Sequence, residues 1–238
     1  MLNDGSFLKV FGDMLINAFE LNPVEFYLNV STDENDAISH NAIKLLGELH
    51  DARAFDPLVQ IFNSESDINK QYAAINALAE MNDPRTINLF IEELNNKSGF
   101  RSVAAQALGK SCDPKGFDPL ILALGDPSYG VVVNIVQSLS NYGDKRAVEP
   151  LIRSFQMITT NKPWKTWERN IVINKFIEAF GNLKDPTAID YIIPFIKKRK
   201  FRENTQKALT QIIGIDYGEK YSDWINWWDM HKSEYLHE

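Results

Sequence analysis

The sequence predicts an all-α fold, an α-solenoid (superhelix) of stacked helix pairs with about five clear repeats and capping helices at both ends. Three observations carry this. One pattern returns five times, its central aspartates Asp51, Asp83, Asp113, Asp144 and Asp185 lying 32, 30, 31 and 41 residues apart. After each aspartate four apolar residues recur at fixed offsets, in steps of three, one and three, which puts them on one face of a helix. No copy contains the period-2 alternation of a half-buried strand. A two-helix unit cannot bury its apolar faces alone, so the copies must stack.

The elements follow in chain order. Residues 1–36 read as N-terminal capping helices, with Phe7, Val10, Phe11, Met14, Leu15 and Phe19 on one face to cover an open end of the stack. Residues 37–196 are the repeat solenoid. In its first helix Ile38, Ala42, Leu45, Leu46 and Leu49 fall at helical spacing. A small residue (Gly47, Ala79, Gly109, Ser140 or Gly181) ends each first helix, where close packing on a neighbour is expected. Four residues later comes the corner aspartate, placed to accept hydrogen bonds from the free N–H groups of the next helix. Pro84, Pro114 and Pro186 directly after it suit a first helical position.

Second helices then carry Phe55, Leu58, Val59 and Phe62; Ile87, Phe90, Ile91 and Leu94; Phe117, Leu120, Ile121 and Leu124; Val148, Leu151, Ile152 and Phe155; and Ile189, Ile192, Ile193 and Ile196. The fifth copy arrives late, so an insertion lies near residues 158–170. Residues 197–238 read as a partial repeat and an aromatic capping helix with Tyr221, Trp224, Ile225, Trp227 and Trp228 on one face.

Ala74-Ile-Asn-Ala-Leu78-Ala79 with Asp83-Pro84-Arg85-Thr86, and Ala104-Ala-Gln-Ala-Leu108-Gly109 with Asp113-Pro114-Lys115-Gly116, resemble the HEAT-like repeats of the phycobilisome-lyase (PBS lyase) family. That motif is roughly Ala-Leu-Gly followed by Asp-Pro-Arg-Ala. Lys145 replaces the corner proline in copy four, and Thr187 replaces the basic residue in copy five. The resemblance runs from about Ala37 to Ile196. A further stretch, Ile213-Gly-Ile-Asp-Tyr-Gly218 before Trp224-Ile-Asn-Trp227-Trp228, is similar to the ending of many such proteins.

The resemblance implies a helical stack whose family members range from chromophore lyases to adaptors. The same repeat family includes deoxyhypusine hydroxylases, which bind two irons through several His-Glu pairs. Here the one such pair is His237-Glu238, while His40 and His50 precede Asn41 and Asp51. A two-metal site needs several converging ligands, so no metal and no cofactor is expected. HEAT-like DNA glycosylases use a groove of Trp, Asp and Arg. Trp164, Trp167, Asp185 and Arg169 supply those types, but the acidic N-terminal two-thirds opposes a long duplex contact.

Composition narrows the classes further. With 238 residues, 44% hydrophobic and 24% charged, the chain can bury a sizeable core, which excludes collagen-like and broadly disordered readings. A net charge of −7 argues against a general nucleic-acid binder. The single Cys112 rules out an intramolecular disulfide framework and fits a reducing, cytoplasmic setting. No run approaches the roughly 18 apolar residues of a spanning helix, and Met1-Leu-Asn-Asp-Gly5 lacks the basic start of a signal peptide. No membrane partner is expected.

Several groups remain as candidate sites. Asp51, Arg53, Asp83, Arg85, Asp113, Lys115, Asp144, Arg146 and Asp185 form a recurring ladder. Five equal places suit structure better than catalysis, so each aspartate is expected to cap its helix and pair with a basic residue of an adjacent repeat. Cys112 is expected to be a buried structural thiol. No catalytic residue is assigned, since no nucleophile motif or phosphate-binding loop is present.

Charge is unevenly spread. Residues 1–152 hold 11 basic and 21 acidic side chains, a net of −10, whereas residues 153–207 hold 12 and 5, a net of +7. The densest basic run is Lys197, Lys198, Arg199 and Lys200, with Arg202 just beyond. In the insertion, Trp164 and Trp167 interleave with Lys162, Lys165 and Arg169. Insertions between repeats often lie on the binding face, and Trp and Arg are common interface anchors. The sequence therefore favours a non-catalytic protein–protein interaction or scaffolding module that binds another protein, one with an acidic surface among the candidates. Binding would use the solenoid groove and the basic–aromatic region 162–202. A lyase-like or enzyme-associated subunit is the alternative, and RNA or DNA binding a further one.

Overall fold

The computed structural model describes residues 4–33, 35–64, 67–96, 98–161 and 164–236. Among the described residues there are fourteen α-helices with short 3-10 turns and no strand. None of these helices is long and apolar enough to cross a membrane. The chain divides into two compact units, Met1–Ala107 and Leu108–Glu238.

The first unit holds α1 (Asp4–Phe19), α2 (Pro23–Ser31), α3 (Asp36–Glu48), α4 (Phe55–Asn63), α5 (Ile68–Met81), α6 (Thr86–Asn95) and the start of α7 (Arg101–Ser111). Asn22, Asn35 and Asp67 cap α2, α3 and α5 through their side-chain oxygens, supplying partners for otherwise free N–H groups. The first helices α3 and α5 pack side by side around Ile43, Leu46, Ala74, Ile75 and Leu78, all fully buried. Contact is closest at Gly47, where a Cβ would stand 2.7 Å from the Ala77 backbone.

At the start of α7, Phe100 meets Phe62 and Tyr72 edge-on at 5.1 and 4.7 Å. The N-terminal helix differs from its expected packing. Val10, Met14 and Phe19 of α1 are 62%, 62% and 68% exposed. The helix is held instead through the face opposite Val10 and Met14, where Gly12 is buried against Tyr27, and by the Lys9–Glu48 ion pair at 2.8 Å. A residue without a side chain lets α2 approach there, which turns Val10 and Met14 to solvent.

The second unit contains the end of α7, then α8 (Pro114–Leu122), α9 (Tyr129–Tyr142), α10 (Val148–Asn161), α11 (Thr166–Leu183), α12 (Ile189–Ile192), α13 (Arg202–Ile213) and α14 (Tyr221–Leu236). First helices again pack in series, α9 on α11 and α11 on α13. Second helices contribute Phe117, Leu120, Leu124, Leu151, Ile152, Phe155, Ile192 and Ile196 to the core. Both helices flanking the insertion are long. α10 has 14 residues against 10 in α6, and α11 has 18 against 14 in α9. Each difference is about one turn.

Helix α14 seals the last repeat. Trp224 and Trp228 are fully buried, their indole N–H groups donating to Gly218 O and Asp190 Oδ1, each at 2.6 Å. Lys232 pairs with the other Asp190 oxygen. Trp227 is half-buried and stacks on His231 with centroids 4.9 Å apart.

All five corners share one backbone geometry. The residue before the aspartate is left-handed in every copy, with φ of 50° at His50, 51° at Asn82, 49° at Cys112, 64° at Gly143 and 51° at Lys184. The aspartate then accepts the N–H two residues on, from Arg53, Arg85, Lys115, Arg146 and Thr187, at 2.9–3.0 Å. Where that residue is arginine, its guanidinium turns back to the same carboxylate, at 2.6–2.7 Å.

Among the described residues the three corner ion pairs thus close inside their own corners and do not reach the adjacent repeat. A cap two residues away already holds the carboxylate within a guanidinium's span. What crosses to the preceding repeat is the face of the arginine. Arg85 lies 4.0 Å over the Phe55 ring and donates to Ala52 O at 3.0 Å, and Arg146 lies 4.8 Å over Phe117. Lys115 has no ion-pair partner among the described residues. Cys112 is exposed rather than buried, because its left-handed backbone carries the side chain off the helix end.

Candidate functional site

In the second unit the connection at residues 123–128 after α8 is tied to residues 164–165 before α11, and residues 198–201 before α13 are tied to α11 itself. Trp164 makes the first tie, its indole N–H donating to Pro127 O at 2.8 Å. Lys200 makes the second, its ammonium donating to Asn170 Oδ1 of α11 at 2.7 Å. Asn170 adjoins Arg169, whose guanidinium reaches the Trp164 carbonyl at 3.5 Å. Trp164, Lys165, Arg169 and Lys200 therefore share one edge.

Trp167 stands on the same first turn of α11, 53% exposed, its ring edge-on to Tyr129 at 5.4 Å. The Lys165 side chain is exposed, while its backbone N–H is held by Glu168 Oε2 at 2.9 Å. Lys162 lies outside the described residues.

Beneath Trp164 is a pocket of about 380 Å³, lined by Leu124, Gly125, Asp126, Pro127, Ser154, Met157, Ile158, Asn161 and Trp164. Its walls are fastened. Ser154 donates to Leu124 O at 3.4 Å, and Asp126 accepts the Ser128 N–H at 2.7 Å. Sequence reasoning found Trp164 but not this floor. Leu124 was visible as the last member of an apolar quartet, and Met157 falls two positions beyond the corresponding Phe155.

The basic run is divided in its roles. Lys197 lies 3.7 Å over the Tyr221 ring and Lys198 lies 4.2 Å over Phe195. Arg202 donates to Ile196 O at 3.1 Å and approaches Glu219 at 3.5 Å. These three fasten the last connection to its own surroundings. Arg199 and Lys200 are exposed, and Arg199 has no hydrogen-bond or ion-pair partner among the described residues.

The corner ladder lies on other turns, and its chemistry is that of capping. Hydrogen bonds from Arg53 hold the Asp51 carboxyl down to about 2, and Asp83 and Asp144 are lowered by Arg85 and Arg146 in the same way. Among the described residues no three His, Cys, Asp or Glu side chains are grouped so as to hold a metal ion.

The fold has known counterparts. The complex of CpcE and CpcF of phycocyanin lyase from Nostoc sp. PCC7120 is similar over 88% of this chain and 94% of that one, with a TM-score of 0.50 and 16% identity. Human deoxyhypusine hydroxylase in complex with glycerol covers 89% of this chain and 80% of its own, with a TM-score of 0.44 and 17% identity. No curated protein matches the sequence. The family model for HEAT repeats matches residues 24–108 and 87–157, more than half of the chain. With helix pairs, capped corners and this match in agreement, the chain belongs to the HEAT repeat family.

Proposed function

We propose that this protein is a non-catalytic interaction module that holds another protein at the edge built from Trp164, Lys165, Trp167, Arg169, Arg199 and Lys200. The supporting observation is the joining of two separate basic segments through the Lys200–Asn170 hydrogen bond at 2.7 Å. Aromatic and guanidinium groups at such an edge are the residue types that dominate interface energetics, and the net charge of +7 over residues 153–207 favours an acidic partner surface. The lone Cys112 fits work in the cytoplasm.

The test is capture of partners from lysate of the source organism, with and without nuclease, by wild type and by a variant carrying Lys165→Glu, Arg199→Glu and Lys200→Glu. A protein kept after nuclease and lost from the variant supports the reading. Retention that vanishes with nuclease transfers the edge to nucleic acid. A partner held equally by both chains removes the edge from consideration.

A second reading draws on the likeness to the phycocyanin lyase complex, in which this chain would be an enzyme-associated subunit. It predicts that an added linear tetrapyrrole binds and changes its absorbance. An unchanged spectrum with the folded protein rejects it.

A further inference from the structure

Resting on the interaction-module reading, we propose that the pocket under Trp164 receives a single bulky apolar side chain from an acidic segment of a partner protein. The pocket is already built. One wall is the Trp164 ring, fixed by its hydrogen bond to Pro127 O at 2.8 Å, and the Ser154–Leu124 contact at 3.4 Å holds the wall formed by α10 against the connection after α8. Leu124, Pro127, Met157, Ile158 and Trp164 make its lining predominantly apolar. Met157 is 61% exposed, so apolar surface stands open to solvent at the mouth.

Its size, about 380 Å³, lies near the lower end of ligand pockets, which run from roughly 300 to 1,000 Å³. A leucine, methionine, phenylalanine or tryptophan side chain fits within that volume with room to spare, and burying it would supply the central anchor of an interface.

The rim decides the charge of the segment that carries the anchor. Lys165 follows Trp164 directly, the Arg169 guanidinium touches the Trp164 carbonyl at 3.5 Å, and Lys200 adjoins through Asn170. The two nearby carboxylates are engaged, Glu168 with the Lys165 N–H and Asp126 with the Ser128 N–H. Carboxylates flanking the anchor would therefore meet a cationic rim. An apolar floor and a chain net charge of −7 favour a peptide over a polynucleotide.

Gly125 provides the test. It lines the pocket, its φ lies outside the left-handed region, and a Cβ there meets no atom within 4 Å. Gly125→Phe therefore adds an aromatic ring to the pocket lining at a position with room for it, the fold should survive, and circular dichroism with thermal melting checks that it does. The full chain is used to select from a displayed library of random peptides. Enriched peptides are then synthesised with a fluorophore and titrated by anisotropy. Expected are sequences with Asp or Glu around one large apolar residue, bound about tenfold or more weakly by Gly125→Phe and by Lys165→Glu with Lys200→Glu, as loss of an anchor demands.

Peptides that bind wild type and Gly125→Phe equally, or that lack acidic residues, overturn the pocket assignment, as does a selection that enriches nothing. Each of these leaves the module reading to its own capture experiment, so the two fail separately. Light scattering closes one further route, because α1 itself presents exposed Val10, Met14 and Phe19 beside Asp13 and Glu20. A wild-type dimer that Gly125→Phe dissociates overturns the proposal in favour of a second copy as occupant.

Discussion

Gly109 of α7 lies so close to Ser138 of α9 that a Cβ on residue 109 would stand 2.1 Å from the serine hydroxyl and 2.6 Å from its Cα. Ser138 is itself buried at 2% exposure, so neither side has room to retreat. Gly109→Ala should destabilise the protein by about 1–3 kcal/mol, the usual cost of overpacking. Ser138→Gly in the same chain should recover only part of that, because the backbone contact persists. Gly125→Ala, whose Cβ meets open space, should stay within about 0.5 kcal/mol of wild type. Chemical denaturation of the variants measures all three, and equal midpoints for Gly109→Ala and Gly125→Ala would refute the close crossing.

The left-handed residue before each corner yields a pair of opposite effects. Gly143 occupies it at φ 64° and Lys184 at φ 51°. Because a side chain there costs roughly 1–2 kcal/mol, Gly143→Ala should lower stability by about 1 kcal/mol. Lys184→Gly should raise it by a smaller amount, since glycine also loses more freedom on folding. Denaturation curves in which both variants move the same way would contradict the shared corner geometry.

Tyr142 joins the end of α9 to the preceding corner, its hydroxyl donating to Asp113 O at 2.6 Å. Tyr142→Phe should cost about 0.5–1.5 kcal/mol. Burial raises the tyrosine to about 12, with the nearby Cys112 and Asp113 adding to it, and burial does the same for Tyr27. A group raised in the folded state stabilises the protein fully below its unfolded value near 10, and that stability is lost as pH climbs towards 12. The tyrosinate absorbance of the folded chain should therefore carry a late component from Tyr27 and Tyr142, smaller by one tyrosine in Tyr142→Phe. Uniform titration would count against the burial of both.

Leu108 is fully buried near the end of α7. Leu108→Ala should cost about 2–5 kcal/mol, as large-to-small changes in a core do. An unaltered unfolding midpoint would mean that the stacking register is wrong.

Repetition made the fold legible. Five aspartates at equal offsets from the apolar quartets announced helix, corner, helix, and each aspartate does cap the turn that follows. The left-handed position was hidden because its occupants are His50, Asn82, Cys112, Gly143 and Lys184, of which only glycine and asparagine signal that conformation. Exposure of Cys112 follows from the same cause. For α1, helical periodicity found apolar residues but not the face that packs, since the decisive contact is made by Gly12, which adds nothing to an apolar stripe.

The candidate edge was legible in composition and not in arrangement. Trp164, Lys165, Arg169 and Lys200 stood out as residue types. Only the stacking of α11 beside the connection before α13 brings Lys200 to Asn170, 30 residues away in sequence. The pocket needed that register as well, because Leu124 and Pro127 reach Trp164 only when consecutive connections lie side by side.

The longer pair α10 and α11 has a consequence for how such a molecule changes over generations. A helix extended by about one full turn returns to the same angular phase, so the buried stripe below is undisturbed while new side chains rise past the neighbouring repeats. Here the added turns stand beside Trp164 and Trp167, the latter 53% exposed, with Lys165 and Arg169 alongside. Lengthening by whole turns lets the rim be rewritten freely, and selection can try out new surfaces there without first having to renegotiate stability.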